Sequence, residues 1–310
     1  MMKEGPLDDE PSPFIPGTNI QFAWDATAIE RVKLCGRLHR FKSEGWRSKG
    51  DNVHLRFGSE CHRCFQDYEV LMAEGFDHRD AMDDVIRSLL FRIQDWNPDH
   101  KQKNRETLVR SVIWYLEKHK DDAAKTWIMS DGKPAVEVNF SFELEFGPTV
   151  DQPYVLSGKL DRIVVFNGDL FVMDRKTTSS LGFNFLNRFL IDNQMTLYTY
   201  AGKRIFMAPI KGVIIDGIQP LITQTNFERH IVYRTDEQIQ EWLIDLDYWL
   251  NQANWMASRD YYPANETSCS KYGSCEFLDI CTKSPQVRDR FLKANYEQEE
   301  PWNPLRPRSD

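Results

Sequence analysis

The sequence predicts an α/β fold: a mixed central sheet flanked by helices, with a helical insertion between the first helix and the sheet. Three observations predict it. Residues 28–41 and 56–128 carry apolar positions at helical spacing, whereas 135–146 alternate with period two. Asn167-Gly168 separates two runs rich in β-branched residues, the strongest short hairpin signal. After a helical stretch at 184–206, two further strand-like runs follow, KGVIIDGIQP and FERHIVYR, and then a long amphipathic helix.

Each element has its own justification. Asp25 or Thr27 caps a first helix through AIERVKLCGRLHRF, which carries Cys35. Lys42–Asn52 is polar and looser. RFGSECHRCFQDYEVLMAEG is helical by pattern until Gly75 and carries His62. Residues 78–128 offer two or three more helices, with Leu108, Val112, Tyr115 and Leu116 on one buried face. AVEVNFSFELEF then alternates, placing Val136, Val138, Phe140, Phe142, Leu144 and Phe146 on one side. Thr235 and Gln238 form a capping box that opens the last long helix, whose stripe of Ile239, Trp242, Leu243, Leu246, Trp249, Leu250 and Ala253 reads as core. A single domain over 21–283 is expected. A flexible lead (1–20) precedes it, the insertion spans about 76–130, a cysteine segment lies at 265–283, and a poorly ordered polar tail (284–310) follows.

Composition narrows the function classes. The chain has 310 residues, 41% hydrophobic and 28% charged, with no apolar run of membrane-spanning length and an acidic, Pro-rich N-terminus unlike a signal peptide. A cytoplasmic protein without a membrane partner is expected. A net charge of −8 argues against a protein that coats DNA nonspecifically. It leaves room for a local basic channel, for which Lys159, Arg162, Arg175, Lys176, Lys203 and Arg204 are the candidates.

The chemistry concentrates in Tyr154–Thr178. With the turn at 167–168, Asp161 and Asp174 stand directly opposite, Cβ atoms roughly 5 Å apart, and Lys176 shares their face. Two carboxylates and a lysine on an apolar hairpin repel and resist burial unless a cation compensates them. A divalent metal does so, and the lysine can then orient or deprotonate a water; the bland alternative is an Asp–Lys pair on a solvated hairpin.

With GKLD ending at Asp161 and DRK at 174–176, the chain resembles the PD-(D/E)xK nuclease superfamily. Gly58-x-x-x-His62 upstream and Gln194-x-x-x-Tyr198 downstream sharpen the resemblance to its RecB-like branch, which includes iron–sulfur CRISPR-associated and phage exonucleases. The resemblance implies a restriction-endonuclease-like core and a DNA nuclease dependent on Mg²⁺ or Mn²⁺. His62, Asp161, Asp174 and the backbone carbonyl of Arg175 would hold the metal, Lys176 would position or activate the attacking water, and Gln194 and Tyr198 would orient Lys176 and hydrogen-bond substrate phosphate or a base edge. Glu137 is a candidate for an accessory, water-mediated contact. An exonuclease on single-stranded or unwound DNA ends is the favoured expectation. An endonuclease or end-trimming subunit, and a noncatalytic cluster-bearing DNA- or partner-binding protein, are the alternatives. A helicase, recombinase or CRISPR-adaptation partner would supply unwinding.

Cys269-x5-Cys275-x5-Cys281 with Cys35 resembles the split 4Fe–4S site of related enzymes. Two features differ: the first C-terminal gap exceeds the two residues common in relatives, and Gly36 follows Cys35 where proline is frequent. Cys61 and Cys64, flanking His62, read either as buried apolar residues or as half of a zinc site with two C-terminal cysteines.

Overall fold

In a computed structural model, residues 11–50, 52–206, 208–270 and 274–306 are described. The chain enters through β1 (Ala23–Trp24) and two helices, α1 (Ala26–Leu34) and α2 (Gly36–Ser43). Asp25 caps α1, its carboxylate accepting the Ala28 N–H at 2.7 Å. The single helix expected here is broken at Cys35, which is extended at φ −169°, ψ 123°. Long-range packing imposes the break: the Arg37 N–H donates to the Pro263 carbonyl at 3.2 Å, and a Cβ on Gly36 would lie 3.1 Å from that same oxygen. Next come β2 (Trp46–Ser48), α3 (Val53–Ala73), α4 (His78–Arg92), α5 (Arg105–His119) and β3 (Lys125–Thr126). The insertion is thus two helices closed by a short strand. The sheet strands β4 (Val136–Glu143), β5 (Val155–Phe166) and β6 (Asp169–Thr177) lead to α6 (Phe183–Asn187) and α7 (Asn193–Phe206). Then follow β7 (Ile210–Pro220), β8 (Thr225–Tyr233), α8 (Asp236–Ser258), α9 (Leu278–Cys281), α10 (Pro285–Asn295) and β9 (Tyr296–Gln298). The capping box at Thr235 and Gln238 forms, with reciprocal bonds of 3.0 and 3.3 Å.

The chain divides into two units, one of residues 51–138 and 159–239, the other of the remainder. In the first, the sheet order is β5-β6-β7-β8, with β3 also on β5. Pairing is antiparallel for β5/β6 and β7/β8 and parallel for β6/β7, a mixed sheet. Asn167 (φ +52°) and Gly168 (φ +85°) supply the two positive dihedrals of a type I′ turn. That turn sets Arg162 opposite Met173 and Val165 opposite Leu170. One further rung brings Asp161 opposite Asp174. Helix α7 covers the Val172 side, where a Cβ on Gly202 would touch Ile210 at 3.0 Å and Val172 at 3.5 Å. Helices α3, α4 and α5 share a core of Phe57, Phe65, Leu89, Ile93, Leu108 and Val112, all unexposed.

In the second unit, β1 lies parallel to the start of β5, Ala23 beside Val155 and Trp24 beside Leu156. The run from Val136 does not alternate as cleanly as expected: Glu137 has φ +50°, and of its apolar set Phe140 and Leu144 alone are buried. The polar stretch after Ser284, expected to lack order, forms α10 and then β9, which pairs with β2 (Trp46 opposite Gln298, Ser48 opposite Tyr296). It is ordered because β2 needs a partner and because Leu292 joins Phe41, Trp46, Phe277 and Ile280 in a local core. Of the lead expected to be flexible, residues 1–10 lie outside the described residues, while Phe14 and Gln21 bridge as antiparallel partners. Among the described residues no helix is long and apolar enough to cross a membrane.

Candidate active site

The hairpin and two helices bring together the side chains on which the sequence converged. From β6, Lys176 Nζ lies 3.0 Å from both oxygens of Asp174, its hydrogen bond going to Oδ1. The same ammonium donates to Gln194 Oε1 at 2.9 Å, and Gln194 Nε2 donates to the Tyr198 hydroxyl at 2.8 Å. Gln194 and Tyr198 stand one turn apart near the start of α7, which is why the i, i+4 spacing serves. From α3, His62 Nδ1 reaches Asp161 Oδ2 at 3.1 Å. The Arg175 N–H makes a longer contact, 3.4 Å, to that oxygen. Gly58, one turn before His62, packs α3 closely on β6: a Cβ there would stand 3.3 Å from Thr177 Oγ1, next to Lys176.

Environment splits the two carboxyls. Burial and then the Asp161 charge outweigh the Lys176 ammonium at Asp174, raising its pKa to about 6. Burial opposes ionisation of Asp161 too, but the charge and hydrogen bond of His62, with Lys176 and the Arg175 N–H, hold it at about 2. His62 is itself raised: Asp161 and Asp174 overcome its burial. Burial likewise opposes the Lys176 charge, yet Asp174 and Asp161 prevail and its pKa is raised. Asp174 Oδ2 is buried and accepts no well-formed hydrogen bond, although the Lys176 ammonium stands 3.0 Å away; it is an oxygen of the hard type a divalent cation takes. As placed, the acids pair with the two basic groups, and among the described residues no three His, Cys, Asp or Glu side chains form a metal-holding group. Glu137 ion-pairs with Lys159 at 2.8 Å.

Two of the cations expected to line a substrate channel do otherwise. Arg162 and Arg175 alternate with the acids and so point to the opposite face, where both bind Glu69 of α3, at 3.0 and 2.8 Å. Arg175 Nε donates to the Tyr115 hydroxyl (3.0 Å), Tyr115 donates to Asp216 (2.6 Å), and Arg229 joins Asp216 to Asp122 with bonds of 2.7 Å to each. Three guanidiniums thus meet three carboxylates under the strands that bear Asp161 and Asp174. The sequence reading missed this lattice. Its signal was present: arginine directly after each acid, on a strand apolar on both sides, demands a buried acid, and Glu69 lies two helical turns beyond His62.

The cysteines separate into two groups. Cys61 and Cys64 are wholly buried in the helical core, and burial pushes the Cys64 thiol up to about 12 and raises Cys61 well above an ordinary thiol, as suits packed thiols rather than ligands. Cys35, Cys269, Cys275 and Cys281 belong to the other unit, all as free thiols. The Cys275 N–H donates to the Cys269 carbonyl at 2.8 Å, and the Cys275 thiol is raised by its burial and then by Cys269, Cys281 and Cys35, which puts the four in one neighbourhood, although among the described residues no three of them stand as a metal-holding group. Cys35 Sγ accepts the Asn265 N–H at 3.4 Å, which ties it to the segment leading into Cys269.

A family model described as the PD-(D/E)XK nuclease superfamily matches residues 23–282. A crystal structure from Eubacterium rectale, of a protein provisionally named an exonuclease, is 13% identical, with a TM-score of 0.52 over 85% of this chain and 90% of that one. The crystal structure of SSO0001 is 16% identical over 86% of this chain and 89% of that one, with a TM-score of 0.37. No curated protein matches.

Proposed function

The chain belongs to the PD-(D/E)XK nuclease superfamily, and from that premise we propose that it hydrolyses DNA phosphodiesters as an exonuclease on single-stranded or unwound ends. The observation that carries the proposal is the chain Asp174–Lys176–Gln194–Tyr198 beside Asp161 and His62. The provisional name of the Eubacterium rectale relative in fold points the same way.

His62, Asp161, Asp174 and the Arg175 carbonyl would hold Mg²⁺ or Mn²⁺, and Asp174 Oδ2, buried without a well-formed hydrogen bond, fits that role. Bound there, the cation supplies a polarised phosphate and a water of lowered pKa. The chain's own part falls to Lys176. An ammonium has three donors; Asp174 and Gln194 take two, which leaves the third for the water or the phosphate. With the two carboxylates beside it raising its pKa, Lys176 is suited to the role of a fixed donor to the water or phosphate. Gln194 accepts from Lys176 and donates to Tyr198, so its amide orientation is determined and the ammonium cannot swing away.

End-labelled single-stranded DNA tests this reading. Wild type should degrade it with Mg²⁺ or Mn²⁺ present and leave a covalently closed single-stranded circle intact. Cleavage of the circle would replace the exonuclease with an endonuclease; full activity in Lys176→Ala would remove the catalytic assignment.

We propose further that Cys35, Cys269, Cys275 and Cys281 carry a 4Fe–4S cluster, on the support of their shared neighbourhood. Protein purified without oxygen should be brown and hold about four irons per chain. Colourless protein with stoichiometric zinc would assign the thiolates to zinc.

A further inference from the structure

Between Lys176 and Gln194, whose side chains meet at 2.9 Å, the chain makes an excursion over residues 177–193. Its root is fixed. Leu181 and Phe185 lie so close over Gly217 that a Cβ there would come within 2.6 and 2.9 Å of them. Gly217 is the register partner of Lys176 across β6 and β7, so the loop rests on the strand beside the lysine. The Gly182 N–H donates to Glu228 at 3.1 Å, and Arg234 donates to the Phe189 carbonyl at 2.9 Å.

The crest is bare. Phe183 is 78% exposed, Leu190 48% and Ile191 94%. Among them Arg188, also exposed, lays its guanidinium 4.5 and 4.6 Å over the rings of Phe185 and Phe189. Among the described residues no carboxylate pairs with it. An anchored loop has no packing reason to present a phenyl ring, two aliphatic side chains and an unneutralised, pre-oriented cation together. Apolar groups alone would fit many partners. The guanidinium beside them, on a loop rooted at the hydrolytic lysine, selects a ligand with flat apolar faces and regular negative charge.

We infer that this crest grips single-stranded DNA next to the scissile phosphate, Phe183 stacking on an unpaired base and Arg188 binding a backbone phosphate. The inference rests on the nuclease reading for the position of the scissile bond. It deepens that reading by placing the preference for unpaired ends in residues 183–191: a duplex hides its base faces, and a single strand offers them.

The test is binding, which needs no cleavage. Affinities of the full chain, without divalent metal, are measured by fluorescence anisotropy for a short oligothymidylate and for an abasic oligomer of equal length. Phe183→Ala should weaken oligothymidylate binding roughly tenfold and leave the abasic oligomer unaffected, and Phe183→Trp should restore the affinity. Arg188→Ala should weaken both. Equal affinities for wild type and Phe183→Ala on both ligands would overturn the inference. So would a Phe183→Ala change confined to the oligomeric state in light scattering, which would make the crest a protein contact. A wild type that shows Phe183-dependent base preference yet never cleaves DNA would sink the nuclease reading alone. One that cleaves DNA while Phe183→Ala binds normally would sink this inference alone.

Discussion

Lys176 is the residue on which the chemistry turns, and its neighbours grade the expected effects. Lys176→Met removes the ammonium that pairs with Asp174 and should lower the cleavage rate on single-stranded DNA by roughly 10²–10⁴. Gln194→Ala leaves the Asp174 contact in place and should cost less, about tenfold, because the ammonium gains freedom without losing its charge. Equal losses in the two variants would show that Gln194 does more than orient. The site was legible at this scale because the turn dipeptide and strand alternation together set which atoms meet, and each motif residue lies on a regular element. The Lys176 protonation state was not legible. It depends on the charges of Asp174 and Asp161 and on its burial, which strand spacing does not reveal.

At the scale of elements, the lattice on the reverse face holds β5 and β6 against α3 and α5. Glu69 satisfies two guanidiniums whose side chains are 6% and 4% exposed. Glu69→Ala strands both, and a loss of about 3–5 kcal/mol is expected in urea unfolding. Lys203→Ala breaks an ion pair whose acid partner, Asp236, is 82% exposed, and should leave the unfolding midpoint in place. If both variants unfold at the wild-type midpoint, the lattice is ornamental. The break at Cys35 and the order of α10 and β9 were illegible for one reason: each is imposed by residues far away in sequence, Pro263 on α2 and β2 on β9. Periodicity within a window sees the helix-forming pattern on both sides of Cys35 and nothing of what interrupts it.

At the scale of the whole molecule, acid stability is expected to depend on a histidine that is no part of the site. His39, buried beneath the stacked ring of Trp24 (5.5 Å between centroids), is lowered to about 4 by its burial and by the Arg31 charge. The unfolded chain binds this proton below about pH 6.5 and the folded one only near 4. The stability it contributes is therefore complete above pH 6.5 and is lost as the pH falls through that window, by roughly 3 kcal/mol in all. His39→Gln should flatten the fall in melting temperature between pH 6.5 and 4; an unchanged slope would place the acid sensitivity elsewhere. Fold class was readable from the order of periodic segments, since a mixed sheet with helices on both faces follows from a hairpin, a helix and a second strand pair. The central claim is that Asp161, Asp174 and Lys176 form a metal-dependent phosphodiesterase, and Asp174→Asn tests it most directly. Asp174 is costly to ionise where it sits, so the variant should melt at or above the wild-type temperature. Degradation of end-labelled single-stranded DNA by wild type should require Mg²⁺ or Mn²⁺ and be absent in the variant. Undiminished degradation by a folded Asp174→Asn protein, or by wild type in excess chelator, would contradict the account.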